Sequence, residues 1–233
     1  MLRKIDHNKM GRGEKFWLKS VFHFSFADYY NPENINFGVL RVLNDDIISP
    51  KTGFDTHPHN DMEIISYVVK GELTHGDSMD NTSKLHRGHV QYMSAGTGIT
   101  HSENNTAVPY LRILQMWITP NAKGLEPTYG EYKFNWPERK NKWLPIFSGD
   151  EGEAPIHINQ DANGYVTCLD YKQKTTFEVG PDRQAYFVQI EGSSFIDGMT
   201  LNARDALEIH GQDIKIRALS ESHCLIIEMA KSE

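Results

Sequence analysis

The sequence contains little cysteine: Cys168 and Cys224 are the only two in a chain of 233 residues. Both stand in apolar, strand-like segments, where a buried reduced thiol is a more common state than a disulfide. A fold held together by disulfides is therefore not expected. The cysteine content fits a reducing compartment such as the cytosol.

The chain also lacks a long apolar run. No continuous stretch approaches the roughly 18 residues that suggest a membrane-spanning helix. The positively charged N-terminus, residues 1–15, is not followed by the apolar segment of a signal peptide. These absences predict a protein that is neither exported nor embedded in a membrane, with the cytoplasm as its expected location.

Clustered positive charge is missing as well. The chain has 24 Lys and Arg against 31 Asp and Glu, for a formal net charge of -7. Its densest basic stretch, residues 138–142, is short enough to be a solvated loop. Proteins that bind nucleic acid through its phosphates need basic residues concentrated on one face. Direct binding of nucleic acid is therefore not expected.

Helix signals are scarce, whereas strand signals recur along the whole chain. Short runs of β-branched and aromatic residues are separated by Gly, Pro, Asn and Asp. Because 39% of the residues are hydrophobic, the chain can bury a substantial core. Proline-rich residues 120–155 resemble a connector between two sets of strands. We predict an all-β protein with two antiparallel barrels in tandem, residues 1–140 and 141–233, the second a diverged copy of the first.

Two pairs of possible metal ligands stand near the ends of residues 53–105. His57 and His59 form one pair, and His101 and Glu103 form the other. Residues two apart on a strand project to the same face, about 6.5 to 7 Å from one another. Antiparallel strands can therefore direct both pairs at one ion. An isolated His-x-His is a weak signal, but two pairs together predict a metal site.

The proposed donor set also limits the metal. Three imidazoles and one carboxylate suit Fe, Mn, Co, Ni, Cu or Zn better than Ca or Mg. In a six-coordinate shell, four protein ligands leave two positions for water, substrate or oxygen, which favours catalysis over a closed structural site. The remaining histidines of this stretch lack a paired donor and are expected at the surface: His75, His86 and His89.

Three segments resemble the pirin family of the cupin superfamily, and most closely its bacterial quercetinase-type members. They are residues 22–30, 53–59 and 93–103. The resemblance is strong to about residue 120 and weaker beyond. Ser94 stands where most cupins carry proline, a departure shared with pirins.

The resemblance implies a tandem cupin fold, or bicupin, with two cupin-like antiparallel barrels. It implies one divalent transition metal, with Fe(II) as the first choice, held by four ligands: His57, His59, His101 and Glu103. The carboxylate of Glu63 is then a supporting group and not a fifth ligand. The C-terminal barrel is expected to hold no metal, because its histidines are isolated: His157, His210 and His223.

Two different activities follow from the resemblance. Bacterial members are similar to quercetin 2,3-dioxygenases, which open the central ring of a flavonol with O2 and release carbon monoxide. In that reaction Glu103 would also be catalytic, taking the proton of the substrate hydroxyl. Candidates for the pocket of a flavonol-like aromatic substrate are Phe54, Met93 and Phe24.

The alternative is a non-enzymatic, iron-containing regulatory protein that acts through protein partners, as eukaryotic pirin does. The fold cannot decide between an enzyme and a binding protein, because function depends on the site. Open metal positions favour the enzyme.

Overall fold

The chain folds almost entirely into β-strands, and the computed structural model describes residues 1–231. Its two 3-10 helices are short, His7–Lys9 and Trp136–Arg139. Within the described residues, no helix is long and apolar enough to cross a membrane. The all-β prediction is confirmed.

The strands are named here in chain order. The first twelve are β1 (Leu2–Ile5), β2 (Gly11–Lys15), β3 (Leu18–Phe22), β4 (Leu40–Ile48), β5 (Thr52–His59), β6 (Glu63–Lys70), β7 (Glu72–Asp77), β8 (Thr82–His86), β9 (Val90–Ser94), β10 (Ile99–Asn105), β11 (Leu111–Ile118) and β12 (Thr128–Tyr132). The others are β13 (Leu144–Phe147), β14 (Ala162–Leu169), β15 (Lys174–Phe177), β16 (Arg183–Glu191), β17 (Ser193–Ile196), β18 (Met199–Asn202), β19 (Ala206–His210), β20 (Ile214–Ala218) and β21 (Ser222–Ala230).

The strands divide into two compact units. The N-terminal unit contains residues 11–135 and 158–160. The C-terminal unit contains residues 1–10, 136–157 and those from 161 onward.

This division differs from the predicted boundary near residue 140 mainly at the N-terminus. Strand β1 pairs with β19 of the C-terminal unit, and Leu2 packs against the apolar core there. Local sequence patterns cannot reveal such a pairing, because its partners lie about two hundred residues apart in the chain.

The N-terminal unit is built from two antiparallel sheets. One has seven strands in the order β12-β9-β6-β11-β4-β3-β2, and the other has four in the order β5-β10-β7-β8. Buried apolar side chains from both sheets form a shared cluster that includes Ile48, Val68, Leu73 and Leu85. This burial of apolar surface holds the sheets together.

A row of buried polar residues crosses the seven-stranded sheet. Gln91 lies opposite Ser66, Ser66 opposite Gln115, and Gln115 opposite Asn44. Directly opposed residues on neighbouring strands project to the same face. The row therefore places four polar side chains in the interior of the N-terminal unit.

The C-terminal unit also contains two antiparallel sheets. Six strands follow the order β1-β19-β16-β21-β14-β13, and four follow the order β15-β20-β17-β18. Its interior is a continuous apolar cluster that draws on both sheets, including Phe187, Leu207, Ile216 and Ile226. This interior is filled by its own side chains.

Candidate metal centre

The two predicted ligand pairs lie on neighbouring strands. His57 lies opposite His101 in the pairing of β5 with β10, and the register shifts between His101 and Glu103. Such a bulge redirects side chains along a strand. Strand β5 is at the edge of its sheet, a position where a proline such as Pro58 is tolerated.

Three imidazole side chains from strands β5 and β10 lie close together. One ring nitrogen each from His57, His59 and His101 lies within 4.8 Å of the others. His57 Nδ1 lies 2.7 Å from the carbonyl oxygen of Asp55. A proton on Nδ1 satisfies that contact and leaves the lone pair on Nε2.

The environment keeps two of these imidazoles uncharged. Burial, reinforced by the neighbouring imidazoles, lowers the pKa of His59 to about 4 and that of His101 to about 3. Neutral imidazole is the form that binds a metal ion. Among residues 1–231, neither ring nitrogen of the buried His101 has a hydrogen-bond partner. A buried polar atom without a partner is costly, so these residues fit a divalent transition metal.

Glu103 is fully buried on the same strand as His101. Its carboxylate accepts hydrogen bonds from Ser66 Oγ at 2.7 Å, from Gln91 Nε2 at 3.5 Å and from Gln115 Nε2. It lies outside the group of three imidazoles, but its negative charge acts to raise the pKa of His59. The seven-stranded sheet thus orients the fourth predicted ligand.

The three donors to Glu103 were missed by reasoning from sequence. Ser66, Gln91 and Gln115 are each a polar residue with an apolar or aromatic neighbour on both sides in the strand. That exception to the apolar pattern is the signal that could have identified them, because a polar group in a buried strand needs a partner.

Glu63 has a separate set of partners. It accepts hydrogen bonds from Tyr92 Oη at 2.5 Å, Ser94 Oγ at 2.7 Å and the backbone N–H of Asn159 at 2.9 Å. Burial and the charge of Glu63 raise the pKa of Tyr92. Glu63 therefore connects the end of β6 to neighbouring segments, the supporting role implied by the resemblance.

His75 is buried, so the expectation of a surface position was wrong for this residue. It lies on β7, which pairs with β10 on the side away from β5. His75 Nε2 lies 3.0 Å from Asp77 Oδ2, and its ring stacks on Tyr129 with a centroid distance of 4.7 Å. The ring centroid is 5.7 Å from that of His101, so His75 packs behind the ligand cluster.

A cavity of about 480 Å³ lies beside the centre. Phe54 lines it together with Phe22, Phe26 and Tyr29, whereas the other two pocket candidates, Met93 and Phe24, lie in the packed core. Its volume falls within the range of about 300 to 1,000 Å³ for small-molecule sites. The cavity is large enough for an organic ligand.

The C-terminal unit contains another group of donors, formed by Asp6, His7 and Asp205. His7 Nδ1 lies 2.8 Å from Asp205 Oδ1, and Lys4 Nζ lies 2.9 Å from Asp205 Oδ2. The Lys4 ammonium already compensates the buried carboxylate. The group is accounted for as an ion-pair network.

Comparisons with known proteins cover both halves of the chain. The Pirin family model matches residues 5–118, and the model of the quercetinase C-terminal cupin domain matches residues 145–229. A pirin-like protein from Caulobacter vibrioides is 41% identical over 233 residues, covering 99% of this chain and 100% of the relative. The quercetin 2,3-dioxygenase of Escherichia coli is 36% identical over 230 residues, covering 98% and 97%.

Solved structures give the same relationship. The bacterial pirin YhhW from Escherichia coli, in complex with nickel(II), superposes with a TM-score of 0.93 at 34% identity, covering 100% of both chains. The tandem cupin prediction is confirmed, and the nickel complex together with the imidazole cluster supports a divalent metal as the cofactor. The chain belongs to the pirin family.

Proposed function

We propose that the chain is a metal-dependent dioxygenase of the quercetin 2,3-dioxygenase type. In this reaction both atoms of O2 enter a flavonol, the central ring opens, and the carbon and oxygen of the 3-hydroxyl position leave as carbon monoxide. The observation that carries the proposal is a cluster of three imidazoles and a buried carboxylate beside an aromatic-walled cavity. The name of the Escherichia coli relative supports the same activity.

The cavity and the donor cluster are joined through two residues. Phe54 lines the cavity, and its ring centroid is 6.3 Å from that of His57. Gln115 also lines the cavity and donates a hydrogen bond to Glu103. An aromatic ligand in the cavity can therefore present a hydroxyl group to the cluster.

Each residue then has a distinct task. Held by His57, His59, His101 and Glu103, a divalent transition metal supplies Lewis-acid polarisation of the substrate hydroxyl and redox chemistry with O2. A Glu103 oxygen accepts the proton from that hydroxyl. The hydrogen bonds from Ser66 and Gln115 hold the carboxylate in place.

We further propose Fe(II) as the metal in use. Nitrogen and oxygen donors also accept Mn, Co, Ni, Cu and Zn, and affinity alone does not determine which one a protein holds. Elemental analysis of anaerobically purified protein, followed by reloading with each metal and measurement of O2 uptake, tests the choice. If another metal gives faster turnover and is the one present in purified protein, that metal takes the place of iron in the proposal.

The reaction itself is tested by following O2 consumption and carbon monoxide release from quercetin in metal-loaded protein. The decisive variant is Glu103→Gln, which keeps the size of the side chain and one oxygen donor. At equal metal occupancy we expect the rate to fall by about 10² to 10⁴-fold, the usual contribution of general-base assistance.

One outcome would overturn the proposal, and another would remove only the catalytic role of Glu103. If loaded wild-type protein consumes no O2 with quercetin or related flavonols, the dioxygenase assignment fails and a regulatory role through protein partners becomes the leading hypothesis. If loaded Glu103→Gln matches the wild-type rate, Glu103 is a ligand only.

A further inference from the structure

The cavity beside the metal centre contains a second polar end that the proposed reaction does not use. Its lining includes Ser20, Asn44 and Asp46 as well as Gln115 and the aromatic residues. Asn44 lies opposite Gln115, and Asp46 lies opposite Ser20. Residues two apart on a strand share a face, so these side chains enter the cavity from one side of the seven-stranded sheet.

Two of these side chains, Asn44 and Asp46, are buried and each has an oxygen atom that can still form a hydrogen bond. Asn44 and Asp46 are each only 2% exposed. The Ser20 side chain forms a hydrogen bond with the Asp46 carboxyl group. Within residues 1–231, Asn44 Oδ1 and Asp46 Oδ1 have no hydrogen-bond partner. Leaving two such atoms unpaired in one buried place costs stability, which suggests that a ligand completes them.

The rest of the cavity wall separates this polar end from solvent. Phe22 and Phe26 pack with a centroid distance of 5.4 Å, and both line the cavity with Tyr29. Charged residues of the lining, such as Arg12 and Asp28, are exposed. A ligand that fills the cavity therefore meets aromatic walls, the metal centre through Phe54 and Gln115, and the polar pair in the buried sheet.

We propose that Asp46, assisted by Asn44, is a specificity-determining residue that binds a second hydroxyl group of the substrate, other than the one presented to the metal. The site then selects flat aromatic ligands that carry hydroxyl groups on their outer rings as well as the one presented to the metal. This inference rests on the proposed function for the orientation of the ligand. The binding preference itself can be measured without turnover.

The chemistry of Asp46 suits a phenolic partner. Burial raises its pKa to about 7, the charges of Asp45 and Glu103 add to this rise, and the hydrogen bond from Ser20 opposes it. Near neutral pH the carboxyl group can therefore donate a hydrogen bond to a phenol oxygen or accept one from a phenol hydroxyl. Asn44 Oδ1 offers an additional acceptor.

The test compares two ligands on metal-loaded protein without oxygen. Quercetin carries hydroxyl groups on its outer rings, whereas 3-hydroxyflavone carries only the 3-hydroxyl. Both can be titrated by absorbance to give dissociation constants. In the wild type we expect quercetin to bind more tightly. In Asp46→Leu, which keeps the branched shape of the side chain but has no polar atom, we expect this preference to fall by about tenfold or more.

The preceding residue, Asp45, offers a matched control. Asp45 is also 2% exposed, but it forms a bidentate ion pair with Arg112 at 2.8 and 2.6 Å and does not line the cavity. Asp45→Asn should lower the melting temperature without changing the preference between the two ligands. Should Asp46→Leu fail to fold, Asp46→Asn keeps the shape of the side chain and should give a smaller fall in the same ratio.

The outcomes separate this inference from the proposed function. A reduced preference in the Asp46 variants supports the inference even if wild-type protein consumes no O2. An unchanged preference overturns it even if turnover is fast. Equal losses in Asp45→Asn, or equal weakening of both ligands in the folded Asp46 variants, would show a structural role and would also overturn it.

Discussion

The four-stranded sheet of the N-terminal unit, β5-β10-β7-β8, has a counterpart of the same strand order in the C-terminal unit, β15-β20-β17-β18. In the first, Ile99 at the start of β10 lies opposite His59 at the end of β5. In the second, Ile214 at the start of β20 lies opposite Phe177 at the end of β15. The registers therefore allow the two interiors to be compared residue by residue.

The positions of the predicted ligands are apolar in the C-terminal unit. Counting along β15 and β20 from the shared starting pair places three apolar residues where ligands stand in the N-terminal unit: Phe177 for His59, Ile216 for His101 and Ala218 for Glu103. Ile216 and Ala218 are buried in the apolar core. The positions of the predicted metal ligands in one unit are filled by hydrocarbon in the other.

The facing sheets differ in the same way. The polar row that orients Glu103 has an apolar equivalent in the six-stranded sheet of the C-terminal unit. The pairings of β16 with β19 and β21 give the matching residues: Leu207 matches Gln91, Phe187 matches Ser66, and Ile226 matches Gln115. Apolar alternation on the strands is enough to build the sheets in both units. The site is a separate addition, made by a few polar residues that face inward in one unit only.

The largest effect, on metal affinity, is expected when a predicted ligand of the N-terminal unit is replaced by the apolar residue found at the matching position of the C-terminal unit. His101→Ile introduces the residue found at the matching place in the C-terminal unit. We expect the protein to fold and to lose at least about 100-fold in metal affinity, more than the loss typical of changing a supporting residue. Metal content after dialysis and thermal unfolding measure the two properties separately.

The control for this prediction is a buried histidine of the C-terminal unit. His223 Nδ1 lies 3.1 Å from Glu191 Oε2, and its ring packs against Trp136 with a centroid distance of 5.2 Å. His223→Gln should leave metal content unchanged, with one metal per chain. Loss of metal in the folded control would contradict the expectation that the C-terminal unit holds none.

The two predicted ligand pairs could be proposed from sequence because each pair is local. Each pair is separated by one residue, and strand geometry then fixes their common direction. Phe54 could be proposed for the pocket for the same reason, since it stands three residues before His57 in the same strand.

The rest of the site could not be found in this way. Asp46 and Gln115 reach the cavity only through the lateral order of strands, which a linear pattern does not encode. The burial of His75 follows from the pairing of β7 with β10, which the local sequence does not reveal. The placement of β1 beside β19 depends likewise on long-range pairing.

An intermediate effect is expected from the polar row. Gln115→Ile introduces isoleucine, the residue type found at the matching position of the C-terminal unit, Ile226. It removes a hydrogen bond to Glu103. We expect kcat or metal affinity to fall by about 10 to 100-fold, the range for a residue that orients a ligand. Gln189→Leu is the matched control, since Gln189 is also buried, in the C-terminal unit, and donates to the carbonyl oxygen of Glu191 at 2.8 Å. If both variants lose only stability, Gln115 has no orienting role.

The last prediction concerns charge in the two interiors and is measured as stability, not as metal affinity or turnover. Asp46 is a buried carboxyl whose pKa is raised to about 7 by burial, whereas register places the uncharged Thr167 at the matching position of the C-terminal unit. A raised pKa means that the folded state holds the proton more tightly than the unfolded chain does. The contribution of Asp46 to stability is therefore full below pH 4 and is lost as the pH rises to about 7.

Asp46→Asn removes this titration and keeps the shape of the side chain. The free energy of unfolding of the variant relative to wild type should therefore rise between about pH 4 and 7, by up to about 1.4 kcal/mol for each unit of pKa shift. Denaturant unfolding of both proteins in the presence of a chelator measures this difference, and other titrating groups shared by the two cancel. A difference that stays constant with pH would show that Asp46 is not held in its neutral form, and a difference that falls with rising pH would show that the folded protein stabilises its charge.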